Sequence, residues 1–182
     1  MHTMKHLVLL LALLLVPGFD APGADAPAKF TVGEFSFSRP AGWEGVEVTS
    51  SMRKAQLKIP GADKQAGGEV VFFHFGENNG GGTQANVDRW FGQFQEPREK
   101  IHAQTEAATI GKRKVTYVQA EGTYLSGMPG GPKTAQPDSM LLGAILESPH
   151  GSVFIKLTGP ANLAKKAKEP FRKMVEGALK AE

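Results

Sequence analysis

The chain opens with one unbroken apolar run and then settles into short, alternating patterns. Leu7 to Val16 is ten consecutive apolar residues. From Phe30 the period becomes two: Phe30, Val32, Phe35 and Phe37 have polar partners between them, which predicts a half-buried strand. Pro40, Ala41 and Gly42 turn the chain, and Trp43 to Val48 predicts a second short strand. Ala55 to Ile59 alternates again until Pro60 and Gly61 stop it. Glu69 to Phe75 is different, because Val70, Val71, Phe72 and Phe73 are consecutive; such a run predicts a central strand covered on both faces.

A glycine-rich stretch follows, and the period then changes. Val87, Trp90, Phe91 and Phe94 fall at i, i+3, i+4 and i+7, a single helical stripe, with Thr83 as its N-cap and Pro97 as its stop. Ala103–Ile110, Lys114–Thr123, Met140–Glu147 and Ser152–Thr158 predict four more strands. Gly111 and Lys112 form a hairpin turn between the first two, and Ser148 to Gly151 between the last two. A final helix carries Leu163, Ala167, Phe171, Met174 and Ala178 on one face, with a kink or restart expected at Pro170. Short hairpins favour antiparallel pairing, and two amphipathic helices need a sheet to cover. The expected fold is α+β, a single-domain antiparallel sheet flanked by helices.

The opening run changes where that domain begins. Lys5 supplies a positive charge, the apolar run follows, and Pro17, Gly18 and then small residues close it. Ten helical residues span roughly 15 Å, about half a bilayer core, so the run is too short for a membrane span. Residues 1–26 therefore read as a signal peptide with its cleavage region, leaving 27–182 as one domain. Ala21 to Gly23 and Ala24 to Ala26 both offer small-x-small triplets, although Pro27 disfavours cutting after Ala26. The expected location is periplasmic or secreted.

Composition narrows the chemistry. The chain has no cysteine among its 182 residues, which removes disulfides, thiolate metal sites, thiol nucleophiles and a lipoprotein anchor. A net charge of +3 is too mild to argue for nucleic acid, and losing residues 1–24 removes one charge of each sign. Lys165, Lys166, Lys168, Arg172 and Lys173 cluster near the last helix and offer, at most, weak contact with anionic surfaces.

Candidate sites are few. Gly76 to Thr83 has the length and setting of a phosphate-binding loop, but Gly82 stands where the lysine is needed and Glu77 adds a negative charge. It reads as a glycine-bearing turn. Ser51 to Lys54 matches Ser-x-x-Lys, yet it precedes a strand and lacks the companion motifs of a β-lactam-binding enzyme. His74, His102 and His150 follow the signal segment, without the spacing of a metal site. No cofactor is implied, and no catalytic carboxylate pair is evident. Ser126 to Asp138 holds three glycines and three prolines in 13 residues and reads as a long loop. With the Gly76–Thr83 loop it is expected to border a binding surface. Its candidate residues are His74, Glu77, Asn78, Arg89, Met128 and Lys133.

One stretch carries a resemblance. Phe35 to Trp43 is a strand ending in Pro40, Gly42 and Trp43, and it resembles the opening of PsbP-like proteins. Ile110 and Gly111 at a hairpin, and Phe171, Met174 and Leu179 in the last helix, are similar too. Ser51 to Ala55, Asn86 to Phe94 and Lys156 to Pro160 look more specifically like an uncharacterised family of small exported bacterial proteins. The resemblance implies an antiparallel sheet sandwiched by helices, and mostly non-catalytic accessory or binding roles. The functional expectation is thus an exported, non-enzymatic protein that binds another envelope component or a small ligand. The alternative is an envelope hydrolase or other small-ligand enzyme whose residues converge only in three dimensions.

Overall fold

The computed structural model describes residues 28–62, 66–127 and 130–180, so the expected signal segment and Met128 lie outside the described residues. The chain order is β1 (Lys29–Val32), β2 (Phe35–Ser38), β3 (Glu44–Gly45), β4 (Arg53–Ile59) and β5 (Gly68–His74). After α1 (Thr83–Phe91) come β6 (Gln104–Ile110), β7 (Arg113–Ser126), β8 (Thr134–Leu146), β9 (Val153–Pro160) and α2 (Ala161–Lys180). Seven strands form one sheet in the order β3-β4-β5-β9-β8-β7-β6, and every neighbouring pair is antiparallel. The architecture is α+β, as the patterning predicts.

Alternation decides which helix each residue meets. On β8, Met140, Leu142, Ala144 and Leu146 join the core under α2, while Leu141 and Ile145 join the core under α1. The α2 side is closed by Ala164, Phe171, Met174 and Val175, and by the β1–β2 hairpin. Phe37 and Phe72 meet edge-on, with ring centroids 5.1 Å apart. The opposite face takes Val87, Trp90, Phe91 and Phe94. Gly143 lies beneath Trp90, where an added Cβ would stand 2.4 Å from the indole ring. Val70 and Phe72 belong to the first core while Phe73 packs against the second, so β5 contributes to both cores, although its Glu69 end is open on the α1 side.

Four local expectations give way. The first strand is a hairpin, β1 paired with β2, because Gly33 takes φ +57° and reverses the chain between Val32 and Phe35. The second strand shrinks to Glu44 and Gly45, apart from one further bond from Val46 N to Gln56 O at 3.0 Å. The N-cap of α1 is Gly82 and not Thr83, whose hydroxyl donates to Glu147 Oε1 at 3.3 Å instead. Helix α2 does not restart at Pro170 but runs through it as one element. Its buried residues continue on both sides of the proline, so packing on the sheet outweighs one missing backbone bond.

The fifth correction matters most for the site. The expected loop from Ser126 to Asp138 shortens to residues 127–133, because both of its ends are strand: Ser126 pairs with Thr134, Leu125 with Ala135 and Tyr124 with Gln136. Between the pairs Gly122–Ser139 and Tyr124–Gln136, β8 has one more residue than β7. The bulge falls at Pro137, which has no N–H to give, and Asp138, at φ +50°. Alternation therefore continues undisturbed along β7, and Tyr124 stays on the α1 side with Val118 and Ala120.

Candidate functional site

Helix α1 covers only part of its face of the sheet. Beyond it, over β4, β5 and β9, the same face carries Gln56, Glu69, Lys156 and Thr158, which strand alternation places beside Val71. The β7–β8 arm borders this region with Tyr124, Ser126, Ala135 and Gln136. The resulting groove has a volume of about 720 Å³.

Two hydrogen-bonded clusters order its floor. Arg53 Nη1 donates to Glu69 Oε1 at 2.7 Å and to Gln56 Oε1 at 2.8 Å, while Gln56 Nε2 donates to Glu69 Oε1 at 2.9 Å. In the second cluster Lys156 Nζ donates to Gln93 Oε1 and to the Tyr124 hydroxyl, each at 3.0 Å. The Tyr124 hydroxyl donates in turn to Gln93 Oε1 at 3.1 Å. Burial pushes the lysine down to about 8 and the phenol up to about 12.

Backbone bonds hold these groups in place. Downstream of α1 the chain runs against β7: Leu125 N donates to Gln93 O at 2.8 Å and Gln95 N to Thr123 O at 2.9 Å. The Glu96 carboxylate accepts from Thr123 N at 2.9 Å, and its hydrogen bonds to Thr123 lower its pKa. Gly122 admits that carboxylate, since an added Cβ would lie 2.9 Å from Glu96 Oε2. Gln93 is thus delivered from outside the sheet, whereas Lys156 and Tyr124 rise from within it.

The residues expected from sequence divide between two places. His74 ends β5 on the face opposite Lys156, and its Nε2 lies 3.2 Å from His150 O. Asn78, at φ +61°, lines a cleft of about 410 Å³ with Gly80, Gly82 and Ser148; Glu77 lies in the same turn. Asn86 fastens this loop by donating to Gly80 O at 2.9 Å and to Gly82 O at 3.0 Å, which suits a structural turn. Arg89, on α1, donates to Asn86 Oδ1. Lys133 belongs to the β7–β8 connection, where its Nζ donates to Gly127 O at 3.4 Å. The charges of Arg89 and Lys133 both act on Lys156.

The expected common border of the two loops does not form. The Gly76–Thr83 turn leaves β5 beside the β8–β9 connection, while Gly127–Lys133 joins β7 to β8 at the other end of the strands. They line separate cavities. Sequence reasoning did not single out Lys156, Tyr124, Gln93, Arg53 or Gln56 as site residues. One signal was available: Lys156 is the lone charge in Val153 to Leu157, a run otherwise wholly apolar.

Elsewhere, several cations of α2 have partners. Lys165 meets Glu121 at 2.7 Å, and Arg172 meets Glu106 at 2.6 Å and Glu176 at 3.1 Å. Among the described residues no group of three or more histidine or carboxylate side chains is placed to hold a metal ion, and no helix is long and apolar enough to cross a membrane.

A solved structure has a similar fold. The solution structure of cyanobacterial PsbP (CyanoP) from Synechocystis sp. PCC 6803 matches with a TM-score of 0.52, covering 88% of this chain and 95% of that one. The fold is PsbP-like. At 11% sequence identity the likeness is one of fold. No protein-family model matches the chain, and no curated protein matches it significantly. On the PsbP-like sheet of this chain, the groove lies where α1 leaves the β4, β5 and β9 strands open.

Proposed function

We propose that this chain is an exported, non-enzymatic accessory or binding protein of the bacterial envelope, made as a signal segment (1–26) and one domain (27–182). It meets an envelope component or a small ligand through the groove over β4, β5 and β9. One observation carries this reading: an open stretch of sheet is lined by polar side chains that are already ordered. Polar groups pinned by neighbours lose little freedom on binding, and such preorganisation favours recognition. The PsbP-like fold supports the accessory role, and the partnered cations of α2 favour the groove over the helix as the contact surface.

Site-specific photo-crosslinking in the native host tests the surface. A crosslinker at Gln136, on the groove rim, is expected to trap a discrete species, and one at exposed Lys166 on α2 is not. Crosslinks from Lys166 alone would place the contact on the wrong surface. Mass measurement of the mature protein tests export; a cell-retained chain still carrying residues 1–26 counts against it.

A further inference from the structure

We infer that the groove takes a compact oxyanion, a carboxylate or phosphate group on a small ligand, against the Lys156 ammonium. The inference rests on the groove being the binding surface and names the chemistry that surface selects. Lys156 projects from β9 between Ile155 and Leu157, both fully buried, and is itself half-buried. Among the described residues, no carboxylate lies within ion-pair distance of it. Both acceptors it has, Gln93 Oε1 and the Tyr124 hydroxyl, are neutral. An ammonium has three donors, so one N–H remains for a group in the groove. Sheltering a cation without a counter-ion is unfavourable, and an arriving anion relieves that cost.

The surrounding charges agree. From β5, Glu69 attracts the ammonium, but its carboxylate is already held by Arg53 and Gln56. Arg53 from β4, Arg89 from α1 and Lys133 from the β7–β8 connection all act on Lys156 with like charge, and Tyr124 from β7 faces it as a neutral phenol. Arg53 and Glu69 answer each other, so Lys156, with Arg89 acting on it from α1, leaves an excess of positive charge beside the groove. A neutral or cationic ligand would leave that excess unanswered; an oxyanion answers it.

The position of the lysine's titration supplies a readout. Burial holds it at about 8, and pairing with an anion favours the charged form, so binding near that pH takes up a proton. Acetate and inorganic phosphate serve as probes, at constant ionic strength, with the lysine side chains followed by NMR as pH is varied. The Lys156 titration is expected to move upward by about one unit, equivalent to a tenfold preference of the probe for the charged lysine. Exposed Lys166 should not move, and Lys156→Met should abolish proton uptake with the protein still folded. Tyr124→Phe removes one of the lysine's acceptors while keeping the ring, and should retain the shift. A response to acetate alone marks a carboxylate ligand, and a response to phosphate alone a phosphorylated one. No shift with either probe, or an equal shift at Lys166, overturns the inference. In that event, continued crosslinking from Gln136 would leave the groove as the binding surface for a ligand of other chemistry, and its loss would remove both readings.

Discussion

Two halves of one sheet face have opposite fates. Under α1, Val118, Leu141 and Ile145 are sealed by Trp90 and Phe91, and Gly143 is bare so that the indole can lie on it. A few ångströms away the same face, on β4, β5 and β9, carries Gln56, Glu69 and Lys156. Strand spacing and backbone pairing are the same in both halves, so the sheet itself does not distinguish them. The difference lies in how far α1 reaches. Its apolar cluster takes in Phe154 of β9 and Phe73 of β5, which pair with each other, and stops short of Lys156 and Glu69 further along the same strands. What a short helix leaves uncovered must be polar or be met by something else.

This contrast can be broken at its strongest point first. Trp90→Ala empties the sealed half and is expected to cost about 3–5 kcal/mol in denaturant unfolding. The corresponding change in the open half, Gln56→Ala, removes two part-buried hydrogen bonds and should cost no more than about 1–2 kcal/mol. Equal losses would mean that both halves are structural. Gly143→Ala is next: its methyl meets Trp90, and the expected loss is about 1–3 kcal/mol by the same measurement. Smaller again is Glu69→Gln, which weakens the pair with Arg53. Both side chains are more than a third exposed, at 43% and 35%, so thermal unfolding should report a change of no more than about 1 kcal/mol.

A separate effect is a slope against pH. Folded Lys156 titrates at about 8 and the unfolded side chain at 10.5, so between these values the unfolded chain binds more protons. Stability should therefore rise with pH from about 8. Tyr124 works in the opposite sense. Its folded value near 12 lies above the ordinary 10.0, so stability falls as pH passes through that interval. Melting temperatures of the parent should rise toward pH 10 and then turn down, whereas Lys156→Met should lose the rise and keep the fall. A variant retaining the full rise would show that the open half does not shelter the lysine.

Much of the fold is legible in local pattern because each strand and helix repeats its burial at its own period. Val87, Trp90, Phe91 and Phe94 predict α1 and its buried stripe together. The arm from Tyr124 to Gln136 is not legible in the same way. Its glycines and prolines signal a loop, but the proline at 137 sits in a bulge where no ladder bond is asked of it. Thr83 has a good capping side chain, yet the cap falls one residue earlier and the hydroxyl turns to Glu147, 64 residues away. The candidate site was barely visible at all. Gln93, Tyr124 and Lys156 share nothing in sequence, and their meeting depends on a segment after α1 folding back along β7.

By itself the sequence determined the order of elements, the antiparallel α+β class and the two apolar faces of the sheet. Those follow from periods of 2 and 3.6, which act over a few residues and need no distant partner. Tertiary structure alone decided that the first strand closes into a hairpin, that the ends of the expected loop extend the β7–β8 arm, and that the two candidate loops stand at opposite ends of the strands. It also decided that a lysine in an apolar run is an open feature and not a misplaced charge. The reason is that the core under α1 takes in Phe154 of β9 and Phe73 of β5 but stops short of Lys156 and Glu69 on the same strands, and alternation says which residues share a face but not how far a helix will cover it.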